Sequence, residues 1–436
     1  MPKKHLILIS AAIFLQLFQA GIASATMDSE MTSTENVSLH DSVALVDNVA
    51  LGDSFGRVEQ SKGLKIGDKF TLRPMSRVQE QCDSNVFLTK DNKKADWATT
   101  FDVGGEAEMK MDKLHLLAGY VFDMNRYAIY SNQDSYNHTA IAKADYEFTN
   151  FDVVVDNKFK KFSDISGTEV TVRIPRIKNV LSADVMSTNL GKVRFDSGYD
   201  YIIEDYLSNY PLILNGQNLT YREVESRREN VFREEFTHET FPKTSLLAEV
   251  DGGFIDYNNN YRPNSYFVQG LTGLKGEVLK DAVATLKVGY RFQDYNQSGY
   301  KDFSNVVLVG DIAKKFGAKN TVTLSGERSV QESTYANMNY FVLNDVGLGY
   351  VYQYNDKLSL HLGGSFQRNQ YPTETTENGL TAKRYDDFYV GACGLRYDIR
   401  QWLSAAVSYQ FTKRQSKFDT FDYIDNLFSW SAAVQF

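Results

Sequence analysis

Charged side chains recur in this chain at every second position of otherwise oily stretches. In Ala282–Gln293, Lys287 and Arg291 alternate with Leu286, Val288, Tyr290 and Phe292. Arg194 and Asp200 alternate with Val193, Phe195, Tyr199 and Tyr201. Lys158, Glu249, Asp345 and Arg396 fall in the same kind of pattern. Arginine offers a planar fork that grips a carboxylate with two hydrogen bonds, lysine a compact point charge. Aspartate and glutamate accept hydrogen bonds from hydroxyls. Together these eight residues are candidates for the path of a charged or hydroxyl-rich ligand. They serve equally well as a mixed charge lattice that keeps a channel wet, and both readings stand.

Catalytic chemistry finds little support. There is no G-x-S-x-G, no H-E-x-x-H, no cysteine pair at zinc spacing and no phosphate loop. The six histidines are His5, His40, His115, His138, His238 and His361. His115 and His361 lie inside strand-like segments, where either could act as a base beside a serine. A polar side chain wetted by water is the plainer reading. The expectation is a protein that is not an enzyme and needs no cofactor or metal. A formal net charge of −8 argues against nucleic acid as a partner. Cys82 and Cys393 are too few for a disulfide scaffold and are expected to stay apart.

The elements that carry these residues alternate with period two, as strands with one oily and one wet face do. Leu403, Ala405, Val407, Tyr409 and Phe411 oppose Ser404, Ala406, Ser408, Gln410 and Thr412. Such segments run to ten residues or more. Strands of a soluble sandwich are usually about five or six residues long, whereas a tilted strand needs about 9–11 to cross a bilayer. A mean hydropathy of −0.38 fits a membrane barrel, because half of each strand faces water. Connections alternate as well. Short ones such as Met111-Asp112-Lys113, Lys280-Asp281 and Asn355-Asp356-Lys357 alternate with longer polar ones at Gln79–Asp96, Ser163–Pro175, Glu204–Thr220 and Pro372–Thr381. Short turns on one rim and long loops on the other is the arrangement of outer-membrane barrels.

The expected fold is therefore all-β: one closed antiparallel transmembrane β-barrel of about 18 strands over residues 64–436. Sixteen strands is the alternative, because charges crowd Tyr221–Thr237 and could make it a loop. In this register Leu286, Val288 and Tyr290 face lipid while Lys287 and Arg291 face the lumen. Lys287→Ala is accordingly expected to leave folding intact, and Leu286→Arg to impair insertion.

Residues 1–25 read as a secretory signal peptide, with a basic start at Lys3, Lys4 and His5, an apolar core and the small-x-small site Ala23-Ser24-Ala25. Residues 26–63 are polar and read as a disordered periplasmic extension. The final strand ends on Phe436. A terminal aromatic resembles the last strand of bacterial outer-membrane barrels, which implies that Phe436 helps the barrel-assembly machinery recognise the chain. The expected location is the outer membrane, in contact with its lipid, with both termini periplasmic.

Three segments carry a more specific resemblance. One is Cys82-Asp83-Ser84-Asn85-Val86-Phe87-Leu88-Thr89 followed by Lys94-Ala95-Asp96-Trp97. The others are Val283–Tyr295 (VATLKVGYRFQDY) and Thr321–Thr334 (TVTLSGERSVQEST). They resemble the β-barrel porins found in exopolysaccharide gene clusters, and the likeness spreads over Leu64–Phe436. Cys82 departs from the pattern, as does the charge of Tyr221–Glu235. The resemblance implies a porin that serves polysaccharide export together with periplasmic export components. The alternative is a non-conducting or general outer-membrane protein: a polymer anchor, a structural barrel or a diffusion porin.

Overall fold

The computed structural model describes residues 63–436 apart from 166–168, 170–171, 215–216 and 336–337. The expected signal peptide and nearly all of the polar stretch after it lie outside these residues. In chain order the strands are β1 Leu64–Ile66, β2 Phe70–Asp83, β3 Asp96–Lys110, β4 Leu114–Tyr127, β5 Ser135–Glu147, β6 Phe151–Ile165, β7 Arg173–Ser187 and β8 Val193–Tyr206. A small hairpin, β9 Pro211–Leu214 and β10 Gln217–Thr220, then leads into one turn of helix, α1 Tyr221–Val224. The strands resume with β11 Arg227–Phe241, β12 Thr244–Tyr257, β13 Ser265–Leu279, β14 Ala282–Tyr295, β15 Phe303–Phe316 and β16 Asn320–Glu332. They end with β17 Tyr340–Gln353, β18 Leu358–Glu377, β19 Leu380–Arg400, β20 Leu403–Ser416 and β21 Tyr423–Gln435.

Eighteen strands, β2–β8 and β11–β21, form one closed antiparallel barrel. Each pairs with its sequence neighbours, β8 with β11, and β2 with β21 closes the ring. Closure is what lipid demands, because an unpaired backbone group costs several kcal/mol where no water can reach it. Period-two alternation then sorts the side chains. On β14, Leu286, Val288, Tyr290 and Phe292 point outward and are exposed, while Arg291 and Gln293 point inward and are buried.

The crowded Tyr221–Thr237 segment splits between helix and wall. Thr220 and Glu223 cap α1 reciprocally through side chain and backbone. From Arg227 the chain is a barrel strand, and its odd-numbered charges turn into the lumen, which settles the count at eighteen. The long connections are shorter than the sequence suggests. β2 runs on to Asp83, β6 reaches Ile165, and β18 and β19 continue through Pro372–Thr381 as a hairpin. That hairpin turns on Asn378 and Gly379, both at positive φ (51° and 80°). Two positive φ values match the twist of the flanking strands, and Asn-Gly supplies them cheaply.

Candidate functional site

The lumen wall is a lattice of opposite charges. Lys287 Nζ lies 2.9 Å from Glu235 and 2.5 Å from Glu249, bridging two buried carboxylates. Arg233 reaches Asp184 at 2.7 Å and Asp200 at 4.0 Å, and Ser182 Oγ donates to Asp200 at 2.6 Å. Arg227 joins Glu204 at 2.6 Å and Glu229 at 2.7 Å. Arg396 is paired with Asp398 at 2.9 Å. Arg291 is buried, its guanidinium 3.8 Å above the Phe267 ring and bonded to Gln293 at 2.7 Å. Asp345 is half-buried opposite Glu327.

All eight candidate path residues thus sit on inward-facing positions, but they do not share one environment. Lys287, Glu249, Arg291, Arg396 and Asp200 are engaged by neighbours in the wall. Lys158 stays exposed to the lumen, and Arg194 is exposed beside Asp196 at 3.2 Å. These last two are the cations best placed to meet a passing ligand. Lys287 holds two buried carboxylates, and its removal leaves Glu249 without its cation and Glu235 with only Lys275 at 3.4 Å. The expectation that Lys287→Ala leaves folding intact does not survive this geometry.

The two strand histidines make ordinary contacts. His115 Nε2 meets Glu108 at 2.7 Å, and Ser359 Oγ meets His361 Nε2 at 2.9 Å. The latter is a same-face pair two residues apart, which a polar strand face makes routinely. Cys82 and Cys393 are free. Phe436 stacks on Trp402 at 5.5 Å and 11° on the short-turn rim, and its N–H donates to Pro74 O.

At the long-connection rim the wall folds over the lumen. Glu169 lies between β6 and β7, yet it accepts from Ser333 Oγ at 2.5 Å and from the Thr334 N–H at 2.6 Å, between β16 and β17. In the ring β6 and β17 are nine steps apart in either direction, so this contact joins opposite walls. The same β16–β17 tip accepts Arg262 Nη1 on Met338 O at 2.8 Å, and its Asn339 Nδ2 donates to Lys301 O at 2.9 Å. Tyr335 OH donates to Glu377.

Two buried ionic knots secure the cover. Arg262, on the β12–β13 connection, meets Glu225 Oε1 at 2.6 Å with both side chains buried. Burial works against the Arg262 charge, but Glu225 and Tyr257 outweigh it and hold the guanidinium's pKa above the ordinary arginine value. In the second knot Asp386 accepts from Arg384 and Arg414, each at 2.8 Å. The Arg384 guanidinium is also packed on the rings of Tyr335, Phe421 and Tyr371 at 4.0, 4.1 and 4.9 Å. No sequence motif marks this network. The one local signal was the density of Arg, Tyr and Phe near the loop ends.

Residues 59–436 match the family described as "Putative beta-barrel porin 2". The chain belongs to this family. No curated protein matches. Among solved structures the porin is similar to OccK2 (OpdF) of Pseudomonas aeruginosa, at 9% identity and TM-score 0.48, covering 84% of this chain and 98% of that one. It is similar to OccAB3 of Acinetobacter baumannii at 9% identity and TM-score 0.46, covering 85% and 100%. It is also similar to the FrpB iron transporter of Neisseria meningitidis at 11% identity and TM-score 0.45, covering 81% of this chain. The porin spans 62% of that transporter's length.

Proposed function

We infer that this porin exports an exopolysaccharide through its charged lumen and that the long-loop mouth rests shut. The contact of Glu169 with Ser333 and Thr334 across the ring carries the second half of this reading. The first half is supported by the alternating lumen charges and by the family motifs at Asp83–Phe87 and Thr321–Thr334. Acidic and basic side chains in one wetted wall offer weak, replaceable contacts to uronates and hydroxyls, which suits passage better than capture. The short turns and both termini would face the periplasm, with Phe436 presented to the assembly machinery.

A packed mouth also favours a second reading, a barrel that does not conduct and serves as a surface anchor. One experiment separates the two. The purified porin in a planar bilayer is exposed to an anionic oligosaccharide from the short-turn side. The export reading expects gated current, transient blockades by the sugar, and shorter blockades in Lys158→Gln/Arg194→Gln. A barrel that stays silent even when its mouth contacts are broken, in cells whose surface polymer is unchanged by deleting the gene, overturns it.

A further inference from the structure

The wall is not zipped evenly. The β15–β16 ladder ends at Leu308↔Arg328, although β15 continues to Phe303 and β16 to Glu332. Both strands keep their other partners over this stretch, β14 against β15 down to Phe303 and β17 against β16 up to Glu332. β16 has therefore parted from β15 and leans inward, still paired to β17 and through it to β18 as far as Val342↔Gln370. Glu332 accepts from Gln293 Nε2 at 2.8 Å, Tyr295 OH at 3.0 Å and Tyr257 OH at 3.1 Å, all lumen-facing groups of β12 and β14.

The result is a lap joint. Val330 and Tyr340 lie on the outer face of the β16–β17 pair, the face that Arg328 shares. They pack against Phe303 and Val307 on the inner face of β15. All four side chains are buried, and the Phe303 ring meets Tyr340 edge-on at 5.6 Å. Where backbone hydrogen bonds would close the seam, apolar side chains close it instead.

The joint opens at the lipid boundary. Val306 and Leu308 are exposed on the outer face, and on β14 Phe292 is 59% exposed. Arg328 stands in one outward register row with Asn344, Arg368 and Asp387, a polar belt across four strands. The loose edge is capped by side chains. The Val306 N–H donates to Asn305 Oδ1 at 2.7 Å, and Arg328 Nε donates to Val306 O at 3.2 Å. Unpaired backbone at membrane depth needs such partners.

We propose that the β15–β16 lap joint is a lateral port for an amphiphile with an acyl chain and an anionic head group. The chain slides between Phe303 and Val307 on one side and Val330 and Tyr340 on the other, replacing apolar contacts with apolar contacts. The head group lies against Arg328. Opening an ordinary barrel seam breaks a ladder of backbone hydrogen bonds in lipid, whereas opening this one separates apolar side chains and the Arg328 Nε–Val306 O bond. The port opens sideways to lipid and the sugar path runs along the axis, with the β16–β17 edge bordering both.

The test places a photoreactive benzophenone residue at Val307 in the full barrel, reconstituted in vesicles of phosphatidylethanolamine and phosphatidylglycerol. Irradiation followed by mass spectrometry reads covalent lipid adducts. Val306, which faces lipid, is the positive control. Ile202, buried and inward on a strand zipped on both sides, is the negative control. The port expects adducts at Val307 several-fold above Ile202. Adducts at Val306 with none at Val307 overturn it, as do equal yields at Val307 and Ile202. Heat-modifiable migration confirms folding of each variant, and a probe at Val330 on the facing edge replaces Val307 if that variant fails to fold.

Discussion

Arg384→Met should unlock the mouth. Arg384 is buried, shares Asp386 with Arg414 and is packed among Tyr335, Tyr371 and Phe421. Methionine keeps much of the apolar contact but loses the charge and the cation–π attraction. The pair with Asp386 lies within β19 and persists whether the mouth is shut or open. What joins Arg384, on the β18–β19 hairpin, to Tyr335, on the β16–β17 tip, is the cation–π contact at 4.0 Å, and a desolvated contact of this kind contributes about 2 kcal/mol. Lost from the shut state alone, about 2 kcal/mol raises the open-to-shut ratio roughly 30-fold. Open probability in planar-bilayer recordings reads this directly. Arg384→Lys should fall between wild type and Arg384→Met, since lysine keeps the charge without the planar fork. A folded, heat-modifiable Arg384→Met barrel with wild-type open probability would refute the idea that this knot holds the mouth.

Other substitutions test the wall. Leu286→Arg puts a charge on the lipid face at a cost of up to about 2–4 kcal/mol, seen as loss of the heat-modifiable band. Lys287→Met leaves Glu235 and Glu249 buried without their shared cation and should cost about 3 kcal/mol, read as a lower midpoint in urea unfolding, with partial rescue by Glu249→Gln. Asn378→Val forces a β-branched residue to positive φ and should cost about 1–2 kcal/mol, read as faster protease cutting at the β18–β19 tip while the barrel stays intact.

What the sequence disclosed followed from periodicity. Leu286 to Phe292 declare their two faces by alternation alone, so strand number and orientation were readable. The charges of Arg227 to Glu235 looked like loop only because every inward position of β11 carries one or sits beside one. Paired across strands, they are the densest part of the lattice. Asn378-Gly379 was a readable hairpin signal, masked by the prominence of Pro372 nearby. The mouth was not readable, since Glu169 and Ser333 lie 164 residues apart and neither belongs to a motif. Nor was the lap joint. Val306 and Val307 are both apolar yet fall on opposite faces, and a residue pattern does not say which neighbour a face meets.

The pairing of β2 with β21, from Met75↔Gln435 to Asp83↔Leu427, sets a timetable. The first wall strand cannot find its second neighbour until the last one has been made. Until then two open edges travel together, each a template for wrong pairing. Joining partners about 350 residues apart is also slow, because loop-closure entropy must be met before any contact repays it. Every hairpin between them can form locally and early, so the final stitch is the commitment step. A chain shortened by its last strand would retain most of its contacts and still have no bilayer-compatible state.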